Sequence, residues 1–258
     1  MKILSLVENT SARADVGAEH GLSLYMEANG HRILFDMGQS DLFARNARTL
    51  GVDLSRVDLA VLSHGHYDHG GGLECFLGLN KKAPVYVHRE AFGGYYHGRE
   101  RYIGIDPALR ESQRLQLGAG ERVIGRGLTL FDCNGLPRPN SLGAFGLCEC
   151  VGGEYRPDRF LHEQYLLIEE AGRRVLISGC SHKGIADIVH WFAPDVLVGG
   201  FHLSKLEDMS ALEEVAQKLN RYPTHYVTCH CTGAAQFDFL KSRMKNLSYL
   251  SAGACLEL

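Results

Sequence analysis

Four residues with metal-binding side chains fall within one six-residue stretch, His64-Gly65-His66-Tyr67-Asp68-His69, directly after the apolar run from Val57 to Leu62. Imidazole nitrogens and carboxylate oxygens are the donors that zinc and similar cations take, at about 2.0–2.1 Å for a zinc–nitrogen bond. A lone histidine is ordinarily satisfied by one hydrogen bond in a core or by water at the surface. Three of them crowded against a carboxylate gain nothing unless a cation holds them. His64, His66 and Asp68 alternate onto one side of an extended chain, whereas His69 can join them only if the chain bends. The pair His64 and His66 therefore suits one ion, and the pair Asp68 and His69 a neighbouring one. Two such ions lower the pKa of a shared water toward about 7 and polarise an oxygen under attack, which is hydrolytic chemistry with a metal-bound hydroxide that Asp68 would orient.

Such a loop must be held by the end of a strand, and the apolar run before it reads as a buried one. Other strands end in the same way. Asp195 to His202 is an apolar run closed by His202, and His225-Tyr226-Val227-Thr228 leads into Cys229-His230-Cys231. Glu163 to Ile168 and Arg174 to Ser178 form a hairpin around Ala171-Gly172, with His162 at one end and Cys180 and His182 just past the other. Cys180 and His182 are candidate ligands, and His162 competes with His182 for the third place on the first ion. A thiolate at Cys180 is softer than a carboxylate and would favour one tightly held ion. His202 lies outside the ligand count and is the candidate to protonate a leaving group, because imidazole titrates near neutral pH.

The remaining elements read as scaffold. Residues 2–8 form a strand, and Leu22 to Phe35 a hairpin about Asn29-Gly30, whose residues supply the positive φ of a tight turn. Helices are predicted over 41–50 with Ser40 as cap, over 70–80, over 184–192, over 210–219 with Ser210 and Glu213 as a capping box, and from about Thr232. A helical insertion around 91–120 near the mouth could be a lid, and its several arginines could meet a phosphate or carboxylate or simply form its solvated face. Gly135 to Pro157 reads as loop. His20 and His88 are each placed where they could reach the metal rim or simply be satisfied locally.

Composition bounds the reading. The 258 residues are 45% hydrophobic and 22% charged, enough for one domain with a sizeable core, taken here as 1–258. A net charge of −3 argues against a nonspecific nucleic-acid binder. The apolar run at residues 3–7 is too short for a signal segment and none approaches a membrane span, so a cytoplasmic location and no membrane partner are expected. The eight cysteines suggest reduced thiols rather than a disulfide framework. Oligomeric state is not encoded legibly.

His64-Gly65-His66-Tyr67-Asp68-His69 before Gly70-Gly71 resembles the signature of the metallo-β-lactamase superfamily. Glu19-His20-Gly21-Leu22-Ser23, Leu34-Phe35-Asp36-Met37-Gly38, Gly179-Cys180-Ser181-His182, Gly200-Phe201-His202-Leu203 and His230-Cys231-Thr232-Gly233 resemble, along nearly the whole chain, the branch labelled dihydropterin-ribofuranosylaminobenzene-phosphate synthase. The resemblance implies an α+β fold, a four-layer αββα sandwich with the metals at one sheet edge. It implies that Cys180 stands where the hydrolases of the superfamily have a bridging Asp, that His230 is the final ligand, and that Asp36 supports the ligands without binding metal. The expected ligand set is His64, His66, Asp68, His69, Cys180, His182 and His230, with Asp68 and His202 catalytic. The expected cofactors are two divalent ions, zinc first with manganese or iron as alternatives. The expected activity is hydrolysis of a phosphate ester or related ester of a small anionic substrate, possibly pterin-linked. An iron-dependent oxidoreductase, or a metal-containing binding protein, is the alternative.

Overall fold

The computed structural model describes residues 1–258. Two seven-stranded sheets make the centre. The first runs, in spatial order, through Cys255–Glu257, Lys2–Val7, Ser23–Ala28, His31–Phe35, Leu59–Val61, Val85–His88 and Leu115–Gly118. The second runs through Leu247–Tyr249, His225–Thr228, Val196–Gly199, Arg173–Ile177, Tyr165–Glu170, Leu128–Phe131 and Arg122–Gly125. Alternation along each strand sorts side chains between layers. In the first sheet Leu24, Met26, Ile33 and Phe35 face the second sheet, where they meet Leu166, Ile168, Val175, Ile177 and Val198. Their neighbours Tyr25 and Leu34 point outward, into a layer with Phe43 and Ala47 of the helix Leu42–Thr49 and Phe76 of the helix Leu73–Leu79. On the far side Leu167, Leu176 and Leu197 pack on the helices Ile185–Phe192, Met209–Leu219 and Ala234–Lys241. This is the expected α+β sandwich of helix, sheet, sheet and helix layers.

Within both sheets the strands that carry the chemistry are parallel to their neighbours. Their carboxyl ends therefore open on the same edge, which is where ligands gather in sheets of this kind.

The segment 91–120 departs from the expected helix. Gly94–His97 and Arg101–Tyr102 are strands, Pro107–Glu111 is a single 3₁₀ turn capped by Asp106, and Leu115–Gly118 closes the first sheet. Gly94–His97 pairs with Leu147–Val151, which turns back as Glu154–Pro157, so a third sheet of four strands replaces both the insertion helix and the loop expected over 135–157. The local signal for this hairpin is Gly152-Gly153, with φ of 61° and 87°, a turn that needs positive φ at both central residues. Two caps also shift. Asp208, not Ser210, receives the N–H groups of Ser210 and Ala211 at the start of Met209–Leu219, and Ser40 accepts from Leu42 N–H without occupying the cap position itself.

Candidate metal centre

The strand Leu59–Val61 delivers the chain into the first sheet's edge, and Asp36 receives it: the Ser63 N–H donates to Asp36 Oδ1 at 2.7 Å. The backbone bends at His64 and Gly65, is extended at His66 and then turns into the short helix Tyr67–Gly70. The bend that His69 requires is thus one turn of helix beginning before Asp68, and the extended alternation expected through Asp68 is already broken by the bends at His64 and Gly65. Gly65 is where the loop passes another backbone. A Cβ there would sit 2.0 Å from the Ala91 carbonyl oxygen, so only glycine fits.

Two groups of donors result. His64 and His66 meet His182, with His64 Nε2 and His182 Nε2 3.2 Å apart. Beside them Asp68 Oδ2 lies 3.3 Å from His230 Nε2 and 3.8 Å from His69 Nε2, and the two imidazole nitrogens are themselves 3.2 Å apart. Cys180 Sγ sits 3.2 Å from His69 Nε2, and it shares a cluster with His69 and His64, between the two groups. All seven residues expected from the sequence as ligands are therefore brought together, and all are buried.

The outward nitrogens fix which electron pairs face inward. His69 Nδ1 donates to Asp36 Oδ2 at 2.7 Å. His230 Nδ1 donates to Asn9 Oδ1 at 2.8 Å, and the Asn9 amide nitrogen is turned to the His230 carbonyl. Ser63 Oγ gives its proton to Asp36, so it accepts from His64 Nδ1 at 2.8 Å. With Nδ1 carrying the proton, each of these rings can turn an Nε2 lone pair toward a cation, two of them beside the Asp68 carboxylate. Lone pairs at this separation repel unless a cation lies between them. Two nitrogens bound at about 2.0–2.1 Å in a tetrahedral site are roughly 3.3 Å apart, close to what is found here. The donor set fits divalent metal ions.

In the metal-free chain protons partly take a cation's place. Burial pushes the His64 and His182 imidazoles well below the usual range, so they stay neutral. Burial would likewise lower His69, but Asp36 and Asp68 outweigh it and raise the metal-free ring to about 9. Burial would raise Asp68, yet His69, His20 and His230 hold its carboxyl well below the ordinary value.

His162 takes no place in either group. Its Nδ1 accepts from Gly65 N–H at 2.9 Å, and its Nε2 meets Asp158 Oδ2 at 3.1 Å, so both ring nitrogens are engaged in holding the ligand loop. His182 by contrast stacks flat on Phe160, 4.4 Å between centroids, and keeps Nε2 toward His64. His88 is tied to Asp132 at 3.1 Å, apart from the donor groups, whereas half-exposed His20 reaches Asp68 at 3.2 Å from the rim. His202 sits with φ of 51° beside His182, 4.1 Å between ring centroids, and neither of its ring nitrogens has a partner.

Several supporting residues carry no signal that a linear reading could use. Glu8 accepts from the His230 N–H at 2.6 Å, and Glu163 from the His182 and Lys183 N–H groups at 2.7 and 3.1 Å. Glu8 follows a strand end, as the ligands do, which is the one hint available.

The donor groups floor a cavity of about 490 Å³, walled by Tyr67, His97, Arg101, Ile103, Phe145, Leu147, His202 and Lys205. A more open hollow of about 580 Å³, around Glu27, Arg32 and Asp53, contains none of the donors.

The chain belongs to the metallo-β-lactamase superfamily, whose profile it matches over residues 16–225. A solved structure described as a metal-dependent hydrolase of the β-lactamase superfamily is 33% identical, with a TM-score of 0.86 over 100% of this chain and 99% of that one. An uncharacterised protein of Methanocaldococcus jannaschii is 31% identical over 98% of both chains. The 7,8-dihydropterin-6-methyl-4-(β-D-ribofuranosyl)-aminobenzene-5'-phosphate synthase of the same organism is 25% identical over 100% of this chain and 96% of its own. No helix is long and apolar enough to cross a membrane.

Proposed function

We propose that the protein is a two-metal hydrolase of a small phosphate ester, with zinc as the first choice of ion. The observation that carries this reading is the convergence of imidazole nitrogens, the Asp68 carboxylate and the Cys180 sulfur at the floor of one cavity. His64, His66 and His182 would hold one ion, and Asp68, His69 and His230 the other, with Cys180 between. Bound there, the ions would supply an activated water and a Lewis acid for the ester oxygen.

The chain's own residues do the rest. Asp68, ionised at neutral pH, accepts a hydrogen bond and so fixes the direction from which water approaches. His202, whose ring lines the cavity and whose two buried nitrogens have no partner within the protein, gives a proton to the leaving oxygen. Asp36, Asn9 and Ser63 hold His69, His230 and His64 in one tautomer, so no ring must reorient during turnover. Similarity to the pterin-linked phosphate synthase, whose named compound carries its phosphate on a ribofuranosyl group attached to an aromatic ring, supports a phosphorylated substrate with an aromatic body.

The test is elemental analysis of protein purified without added metal, followed by turnover of p-nitrophenyl phosphate and bis(p-nitrophenyl) phosphate. Activity should vanish on chelation, return with zinc or manganese, and fall roughly 10²-fold or more in Asp68→Asn and His202→Ala. Iron-dependent oxygen uptake without hydrolysis of any ester would replace this reading with an oxidoreductase.

A further inference from the structure

The third sheet forms most of one cavity wall. Its segments supply His97, Arg101, Ile103, Phe145 and Leu147 to the lining. They are fastened to the ligand loop: Tyr67 N–H donates to the Ile103 carbonyl at 2.8 Å, and His66 bridges to Gly104. This bridge ties the wall to the metal loop beside His66 and Tyr67.

Its charge is unbalanced. Arg101 makes no ion pair; its guanidinium donates to Tyr67 Oη at 3.0 Å and lies 5.6 Å from the centre of that ring. Lys205, across the lining, is likewise without a carboxylate partner, and Asp68 in the metal centre is the sole carboxylate of the cavity. The same lining that holds Arg101 and the donors also presents apolar side chains, Ile103, Phe145 and Leu147. Tyr67 immediately precedes Asp68, so Arg101 is held at a set position relative to the metal loop.

We propose that Arg101 recognises a second anionic group of the substrate, separate from the ester at the metal centre, across an apolar or aromatic body. The ligand class is thus an aryl phosphate bearing a further carboxylate or phosphate. This deepens the hydrolase reading and rests on it for the placement of the ester.

The experiment uses metal-loaded protein and matched phenyl phosphates with a para carboxylate, carboxymethyl or carboxyethyl group, each beside its neutral carboxamide. Calorimetric binding is measured for every pair, and kcat/KM wherever turnover occurs. Wild type should favour at least one carboxylate over its carboxamide by about tenfold, a difference of one ion pair formed out of bulk water. Arg101→Gln should abolish the preference and leave carboxamide binding unchanged, and Arg101→Lys should restore part of it. Equal binding of every pair by wild type, or a preference that survives Arg101→Gln, would overturn the proposal. Binding with the preference but no turnover would leave the anion site standing and remove the hydrolase reading.

Discussion

An imidazole can offer a metal only one nitrogen at a time, and in this centre the other nitrogen is the one the protein controls. Asp36, Ser63 and Asn9 each take an Nδ1 proton, which leaves Nε2 for a cation without any cost of tautomer exchange. His162 illustrates the converse, with both nitrogens spent on Gly65 and Asp158. We expect His182→Ala to lose one ion of the pair. His162→Ala should keep the stoichiometry and weaken affinity by roughly 10–100-fold, as removal of an orienting partner does. Equilibrium dialysis with elemental analysis separates the two, and unchanged metal content in His182→Ala would return the ligand role to His162. The ligands themselves were legible because histidines and a carboxylate at such spacing have few other uses. Their orienting partners were not: Asn9 and Glu8 meet His230 across more than two hundred positions of chain, and Ser63 is a common polar residue whose role depends on Asp36 facing it.

At the scale of elements, the legible features were those with local causes. Asn29-Gly30 makes the expected hairpin turn, with φ of 49° and 79°, and the apolar strands end where their donors begin. The third sheet escaped because Gly94–His97 finds its partner some fifty residues later, and no local period announces such a pairing. Another element-level feature was invisible for the same reason. The loop after Arg173–Ile177 buries Lys183 completely, with Nζ donating to the carbonyls of Asp132 and Glu163 at 2.8 and 2.7 Å. Burial brings this ammonium down to about 8. Below that pH both folded and unfolded chains carry the proton; between about 8 and the ordinary lysine value of about 10.4 only the unfolded chain keeps it. The unfolded state then binds more protons, so Lys183 makes stability rise with pH across that window. Urea unfolding at pH 8 and pH 10 should show wild type gaining roughly 1–2 kcal/mol relative to Lys183→Met. A difference between the two proteins that stays constant with pH would mean the buried amine does not titrate there.

For the molecule as a whole, the donors come from both sheets, and the centre joins them at their shared edge. His64 faces His182 across 118 residues of sequence, and His69 faces His230 across 161. No fragment of the chain short enough to fold early contains a complete set. An ion held there would therefore complete its ligand set only once both sheets have docked, and would act as a latch on the native state rather than as a template for reaching it. Refolding from urea with zinc should match refolding with a chelator to within about a factor of two. Unfolding should slow by roughly the whole binding term, about 4 kcal/mol when free ion exceeds its dissociation constant a thousandfold. Stopped-flow rates on both limbs decide the matter, and refolding that accelerates in proportion to added zinc would show the ion engaged before the halves meet. A cell that starves the protein of metal would then make it at the usual rate and lose it faster.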